Sequence, residues 1–148
     1  MTRKIATPAQ LLLGLIYTVF GLNGFLHFLP QPEVPQAAGV FLGGLASAGY
    51  FFPVLKATEV AAGLLLLTGF AAPVALVVLA PITLQIFLFH AVLTPGLQNS
   101  ALPLVMIALH LVAATAFWAQ YKPLFAKRSA LVPVNEVAKR ETRSVEVA

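Results

Sequence analysis

The chain contains no cysteine. Internal disulfides, thiol relays and thiolate metal sites are therefore excluded, whatever the compartment. Charge is scarce too. Charged residues make up 9% of the chain, against about 25% in ordinary soluble domains. None lies between Lys4 and Glu33, and none between Glu59 and Lys122. Stretches of that length exclude a water-facing surface over most of the molecule. What is present instead is apolar: 59% of residues are hydrophobic, where about 45–50% is usual. One bilayer span needs about 20 apolar residues, so the composition is that of an integral membrane protein. A length of 148 residues is one domain's worth of chain.

The few charges are unevenly placed. Arg3 and Lys4 precede the first apolar run, while Lys122, Lys127, Arg128, Lys139, Arg140 and Arg143 follow the last. Basic residues so distributed read as positive-inside flanks and exclude a nucleic-acid surface. Membrane lipid is the expected partner. The N-terminus starts like a signal peptide, but its apolar run is too long and it lacks a small-x-small cleavage site, so it reads as a retained first helix.

The fold class expected is an all-α membrane protein, four transmembrane helices in an antiparallel bundle. Thr7-Pro8 has the form of a helix start, with Thr as N-cap and Pro at the first helical position. The first span then runs to about Leu29 and is stopped by Pro30, Pro32 and Pro35. Residues 35–50 are apolar but too short to span, and predict a non-spanning helix between helices one and two. Pro53 to Gly69 is the second span, Pro73 to about Thr94 the third, and Ala101 to Tyr121 the fourth, with 95–100 as a polar turn. Pro81 predicts a kink within the third. Residues 1–123 thus form the membrane domain, and 124–148 a polar tail expected to be disordered. Four spans put both termini on one side, and the basic flanks make that side cytoplasmic, in a bacterial-type inner membrane.

Against this background the strongly polar residues stand out. Asn23 and His27 lie four apart in helix one and would share a face. Lys56 and Glu59 open helix two, Gln85 and His90 belong to helix three, and His110 to helix four. At 1.5 Å per residue they fall in the outer half of their spans, with Gln85 near the midplane. A charge inside a span costs about 2.5–3.5 kcal/mol, so Lys56 and Glu59 should face inward and be paired, as i, i+3 spacing permits. Two readings follow: a structural ion pair with interhelical histidine hydrogen bonds, or one outward-facing pocket lined by Asn23, His27, Lys56, Glu59, Gln85, His90 and His110. Three histidines on three helices raise the question of haem, but their depths differ and no attachment motif exists. A quinone or similar amphipathic molecule suits the groups better, since its head needs a few donors and a proton-exchanging side chain in an apolar pocket. Phe25, Phe28, Phe41, Phe87 and Phe89 are candidate walls. Gly14, Gly21 and Gly24 allow close approach of helix one to another helix, in this chain or in a second copy.

The run GLIYTVFGLNGFLHF and the block FFPVLKATEVAAGLLLLTGFAAPVALVVLAPITLQIFLFH resemble the DoxX family of small four-helix membrane proteins. The resemblance covers residues 8 to about 123 and centres on Glu59, Gly63 and the Pro-led third helix. Many members carry a lysine after the glycines of helix one, where this chain has Asn23-Gly24-Phe25. The family takes its name from a subunit of a thiosulfate:quinone oxidoreductase. The resemblance implies quinone-linked or other small-molecule redox support, with a redox partner protein or a homo-oligomer as the assembly. A non-catalytic scaffold subunit and a small-molecule carrier gated by Glu59 are the alternatives.

Overall fold

The computed structural model describes residues 2–30 and 33–125, with side chains from Ile5 onward. Residues 126–148, most of the expected tail, lie outside the described residues. All regular structure among those described is helical: α1 Thr2–Leu26, α2 Gln36–Ser47, α3 Phe51–Thr68, α4 Ala72–Leu88, α5 Leu97–Thr115 and the short α6 Trp118–Tyr121. A π-helical turn, Phe89–Leu93, extends α4, and a 3-10 turn, Lys122–Phe125, follows α6. Four segments are long and apolar enough to cross a membrane: Ile5–Leu26, Phe51–Thr68, Ala72–Leu93 and Leu97–Thr115. Met1–Trp118 is one compact unit and Ala119–Ala148 a second.

The four long helices close a ring in which α1 packs on α3 and α5, and α4 packs on the same two. Buried positions of α4 (Ala72, Ala75, Leu76, Leu79 and Thr83) repeat every three or four residues and form one inward stripe. They meet Leu13, Tyr17, Leu66, Met106 and Ala113 in the core. Outward positions such as Leu15, Val54, Val74, Val77 and Leu111 are large, apolar and exposed. That inversion suits a solvent of lipid tails. At twelve residues, α2 reaches about 18 Å, too short to span. It lies against α3 and the π turn.

The closest helix contact is between α1 and α3. A Cβ added to Gly63 would stand 2.8 Å from the Thr18 amide nitrogen and 2.9 Å from the Gly14 carbonyl oxygen. One added to Gly14 would meet the Gly63 carbonyl oxygen at 2.9 Å. Two glycines facing one another let the backbones touch, the usual device of membrane helix pairs. Gln10 seals the same seam further along, its Nε2 donating to the Leu66 carbonyl at 2.6 Å. The α1 glycines therefore serve a contact within this chain.

Helix limits differ from the sequence expectation in three informative places. α1 passes through Thr7-Pro8, whose ring costs the helix one hydrogen bond near its end. α1 then stops at Leu26, because His27 turns left-handed (φ 51°) while its amide still donates to the Asn23 carbonyl at 2.9 Å. α5 starts at Leu97 after Gly96 (φ 144°), so Gln98, Asn99 and Ser100 belong to its first turn rather than to a loop. The connection between α3 and α4 is as tight as expected. Gly69 (φ 75°) ends one helix and Ala71 (φ 49°) begins the next, both left-handed.

Candidate functional site

Lys56 and Glu59 lie one turn apart on α3, and the Lys56 Nζ donates to Glu59 Oε2 at 2.7 Å. The partners are unequal: the Glu59 side chain is 2% exposed and that of Lys56 24%. A carboxylate so deep needs a partner, and the lysine stem crosses α1 to supply one. Its path exists because Gly24 lacks a side chain. A Cβ there would collide with the Lys56 Cγ and Cδ. Gly21 does the same for the backbone of Val60, whose nitrogen would be 3.0 Å from an added Cβ. Small residues of α1 thus seat the charged pair of α3.

Two cavities meet at this pair, and Lys56, Glu59, Ile86 and His90 line both. One, of about 460 Å³, lies between α2, α3 and α4. Its walls are aromatic, with Phe41, Phe51, Phe52 and Phe89, and Gln85 adds an amide. Phe41 and Phe89 stack at 6.0 Å between ring centres. The other, of about 400 Å³, draws residues from all four long helices, including Tyr17, Gln98, Asn99 and Met106. The first is mostly apolar with a polar edge made by Lys56, Glu59, Gln85 and His90. The second, also lined mostly by apolar surface, adds Tyr17, Gln98 and Asn99 to the charged pair.

His90 sits in the π turn, where the wider helix re-aims one side chain. Its Nδ1 lies 2.8 Å from the Ile86 carbonyl. A carbonyl only accepts, so Nδ1 carries the hydrogen and Nε2 is the acceptor edge of the neutral ring. A second polar group lies deeper. The Tyr17 hydroxyl is 2.7 Å from Thr83 Oγ1, which is 3.0 Å from His110 Nδ1 and donates to the Leu79 carbonyl at 2.8 Å. This chain ties α1, α4 and α5 together with buried groups only.

The seven residues expected in one pocket are therefore divided. Lys56, Glu59, Gln85 and His90 come together around the aromatic cavity. Asn23 is buried but spends its Oδ1 on the Leu29 amide at 2.7 Å, fastening the chain as it leaves α1. His27 is exposed in the same turn. The i, i+4 argument for these two fails because the helix ends between them. His110 is not in the outer half of its span, since α5 starts at Leu97 and places it nearer Thr115. It lines a separate notch between α4 and α5. Glu59 likewise falls mid-helix, α3 beginning at Phe51.

Tyr17, Thr83, Phe51 and Phe52 were not among the expected site residues. Thr83 was findable, because it continues the spacing of Leu76 and Leu79 on the inward face of α4. Gln85, off that stripe, is exposed on the helix surface. Of the expected Phe walls, Phe41 and Phe89 line the aromatic cavity, whereas Phe25 and Phe28 are exposed. No protein-family model matches the chain, and no curated protein and no solved structure matches it either.

Proposed function

We propose that this protein is a DoxX-like membrane subunit that binds a quinone, or a molecule of similar amphipathic build, in the aromatic cavity and exchanges protons with its head. The observation that carries the reading is the Lys56–Glu59 pair standing in the wall shared by an aromatic cavity and a second cavity that Tyr17, Gln98 and Asn99 also line. A quinone head is planar and presents two carbonyl acceptors. Lys56 has two N–H bonds beyond the one given to Glu59, and the Gln85 amide offers more. Flat rings among Phe41, Phe51, Phe52 and Phe89 suit the head, and the apolar remainder suits a tail.

Reduction of a quinone to a quinol takes two electrons and two protons. In this reading Glu59 and His90 handle protons at the cavity edge, returning them when a quinone is reduced and accepting them, through His90 Nε2 among others, when a quinol is oxidised. In this reading the electrons come from a redox partner protein. In this reading the basic flanks Arg3-Lys4 and Lys122 onward are the cytoplasmic side of a bacterial-type inner membrane, by the positive-inside rule.

Titration of the protein in lipid nanodiscs with a short-tailed quinone tests this. Saturable binding is expected, weakened about tenfold or more in Glu59→Gln, the loss of one charge-assisted contact. Absence of saturable binding would overturn it and leave Lys56–Glu59 as a structural pair in a scaffold subunit. Retained affinity in Phe89→Ala and Glu59→Gln together would place any ligand elsewhere.

A further inference from the structure

We infer that the cavity edge selects the hydroxyl-bearing form of its ligand, so that a quinol binds more tightly than the matching quinone. The inference rests on the quinone reading and deepens it, because it says which redox form the site is built to hold. Its starting point is the far oxygen of Glu59. Among the described residues the Glu59 carboxylate takes one hydrogen bond, from Lys56 to Oε2 at 2.7 Å. No side-chain nitrogen or oxygen of those residues is both sealed off and unpaired. Oε1, unpaired, therefore reaches the open space that Glu59 lines. The rest of that side chain is closed in, at 2% exposure. A carboxylate oxygen so nearly enclosed gains most from a ligand that brings a donor.

His90 presents a second acceptor. Its Nδ1 hydrogen is spent on the Ile86 carbonyl at 2.8 Å, which leaves a lone pair on Nε2. Glu59 and His90 each line both cavities, so the two acceptors stand where the cavities join.

The donors of the site do not tell the two forms apart. Lys56 has two N–H bonds left, and a carbonyl oxygen and a hydroxyl oxygen both accept them. The Gln85 amide donates and accepts, so it suits either form. The acceptors do discriminate. A quinone oxygen has only lone pairs, and beside Glu59 Oε1 or His90 Nε2 it makes no bond. A quinol hydroxyl gives its hydrogen to one of them while its oxygen still accepts from Lys56. One charge-assisted hydrogen bond is thus open to the quinol alone. Such a bond is worth about tenfold or more in affinity.

The consequence is electrochemical. Tighter binding of the reduced form raises the potential of the bound couple, by about 30 mV per tenfold for two electrons. The site draws electrons onto its ligand, and a donor too weak by that margin to reduce the free quinone can reduce the bound one.

The test is equilibrium titration of the full chain in lipid nanodiscs with three short-tailed ligands that share one ring. They are the quinone, the quinol kept reduced under argon, and the dimethyl ether of the quinol. Empty nanodiscs give the blank for partition into lipid. The ether keeps the ring and loses both hydroxyl hydrogens. The quinol should bind about tenfold or more tighter than the quinone, and the ether no tighter than the quinone. In Glu59→Gln the quinol should lose more affinity than the quinone, so that the ratio between them shrinks severalfold. Equal affinities for quinone and quinol would overturn the inference and leave the quinone reading in place. An ether as tight as the quinol would overturn it too, since ring contacts and not hydroxyl hydrogens would then set the affinity. So would an unchanged ratio in Glu59→Gln, which would put the hydroxyls elsewhere. Saturable binding of none of the three would end the inference and the reading together. The comparison of three ligands on the unaltered protein decides the matter even where the variant does not fold.

Discussion

The two flanks of α3 are built on opposite plans. Toward α1 the surface is closed: Gly63 meets Gly14 backbone to backbone, and Thr18, Leu66 and Val60 fill the space beside them. Toward α4 the contact is looser, and from Leu55 to Glu59 it opens into the aromatic cavity. The closed side spends its polar groups on the seam itself, Gln10 on the Leu66 carbonyl and Thr18 on the Gly14 carbonyl. The open side carries the charged pair and lies beside the π turn. The difference teaches how a small bundle keeps a cavity at all. One seam must be tight enough to hold the helices while its neighbour is left unfilled, and here the tight seam also clamps the lysine stem that serves the open one.

The largest effect is expected from disturbing the open side. Lys56→Met leaves the nearly inaccessible Glu59 without its cation, a change that costs about 3–5 kcal/mol for fully buried pairs. Lys56 is 24% exposed, so the lower part of that range is expected for unfolding in bicelles. Adding Glu59→Gln to the same variant should recover much of the loss. A double variant equal to the sum of the singles would show that the two residues are not coupled.

Next in size is the closed side. Gly63→Ala pushes a methyl toward the Thr18 amide nitrogen and the Gly14 carbonyl, neither of which can move aside. About 1–3 kcal/mol of destabilisation is expected, the range for overpacking. An unchanged unfolding midpoint would mean that the α1–α3 seam is not the rigid partner described. Smaller again is Asn23→Ala, which removes the cap on the Leu29 amide. A loss of about 1 kcal/mol is expected for one hydrogen bond, with quinone affinity unaltered. A large drop in affinity there would restore Asn23 to the binding site.

The contrast between the flanks was only half legible in the sequence. The four spans follow from missing charge, a signal that needs no tertiary information, and so does the inward Lys56–Glu59 pair. The short α2 follows from its length and from the prolines before it. The glycines of α1 announced a close contact, but not with which helix. The single pocket failed for local reasons. Asn23 and His27 share a face only if the helix continues, and the left-handed turn at His27 with the Asn23–Leu29 bond has no strong local marker. A terminus misplaced by four residues moves every depth on that helix by about 6 Å. Starting α5 at Ala101 instead of Leu97 is what put His110 in the wrong half. Nor does any spacing rule announce a π turn, so the two-sided placement of His90 was beyond reach.

Gly24 stands where the two plans join, and it gives the finest test of them. It belongs to α1, yet the atoms nearest a Cβ there are side-chain atoms of Lys56, the Cγ and Cδ before the Cβ. Those atoms are the middle of a flexible stem, unlike the backbone that confronts Gly63. In Gly24→Ala the lysine can therefore yield where the helices could not. Stability should fall by well under the 1–3 kcal/mol expected of overpacking at a rigid contact. Affinity for the quinone should fall more than stability does, since a displaced stem moves the ammonium away from both Glu59 and the cavity edge. The measurement is a paired one, unfolding and titration on the same preparation, with Gly14→Ala as the reference. Gly14 faces the Gly63 carbonyl at 2.9 Å and the Leu67 nitrogen at 3.1 Å, so its variant should lose stability first. If Gly24→Ala and Gly14→Ala lost stability and affinity in the same proportion, the clamp on Lys56 would be ordinary packing. The seam and the site would then be one structure rather than two that meet at a glycine.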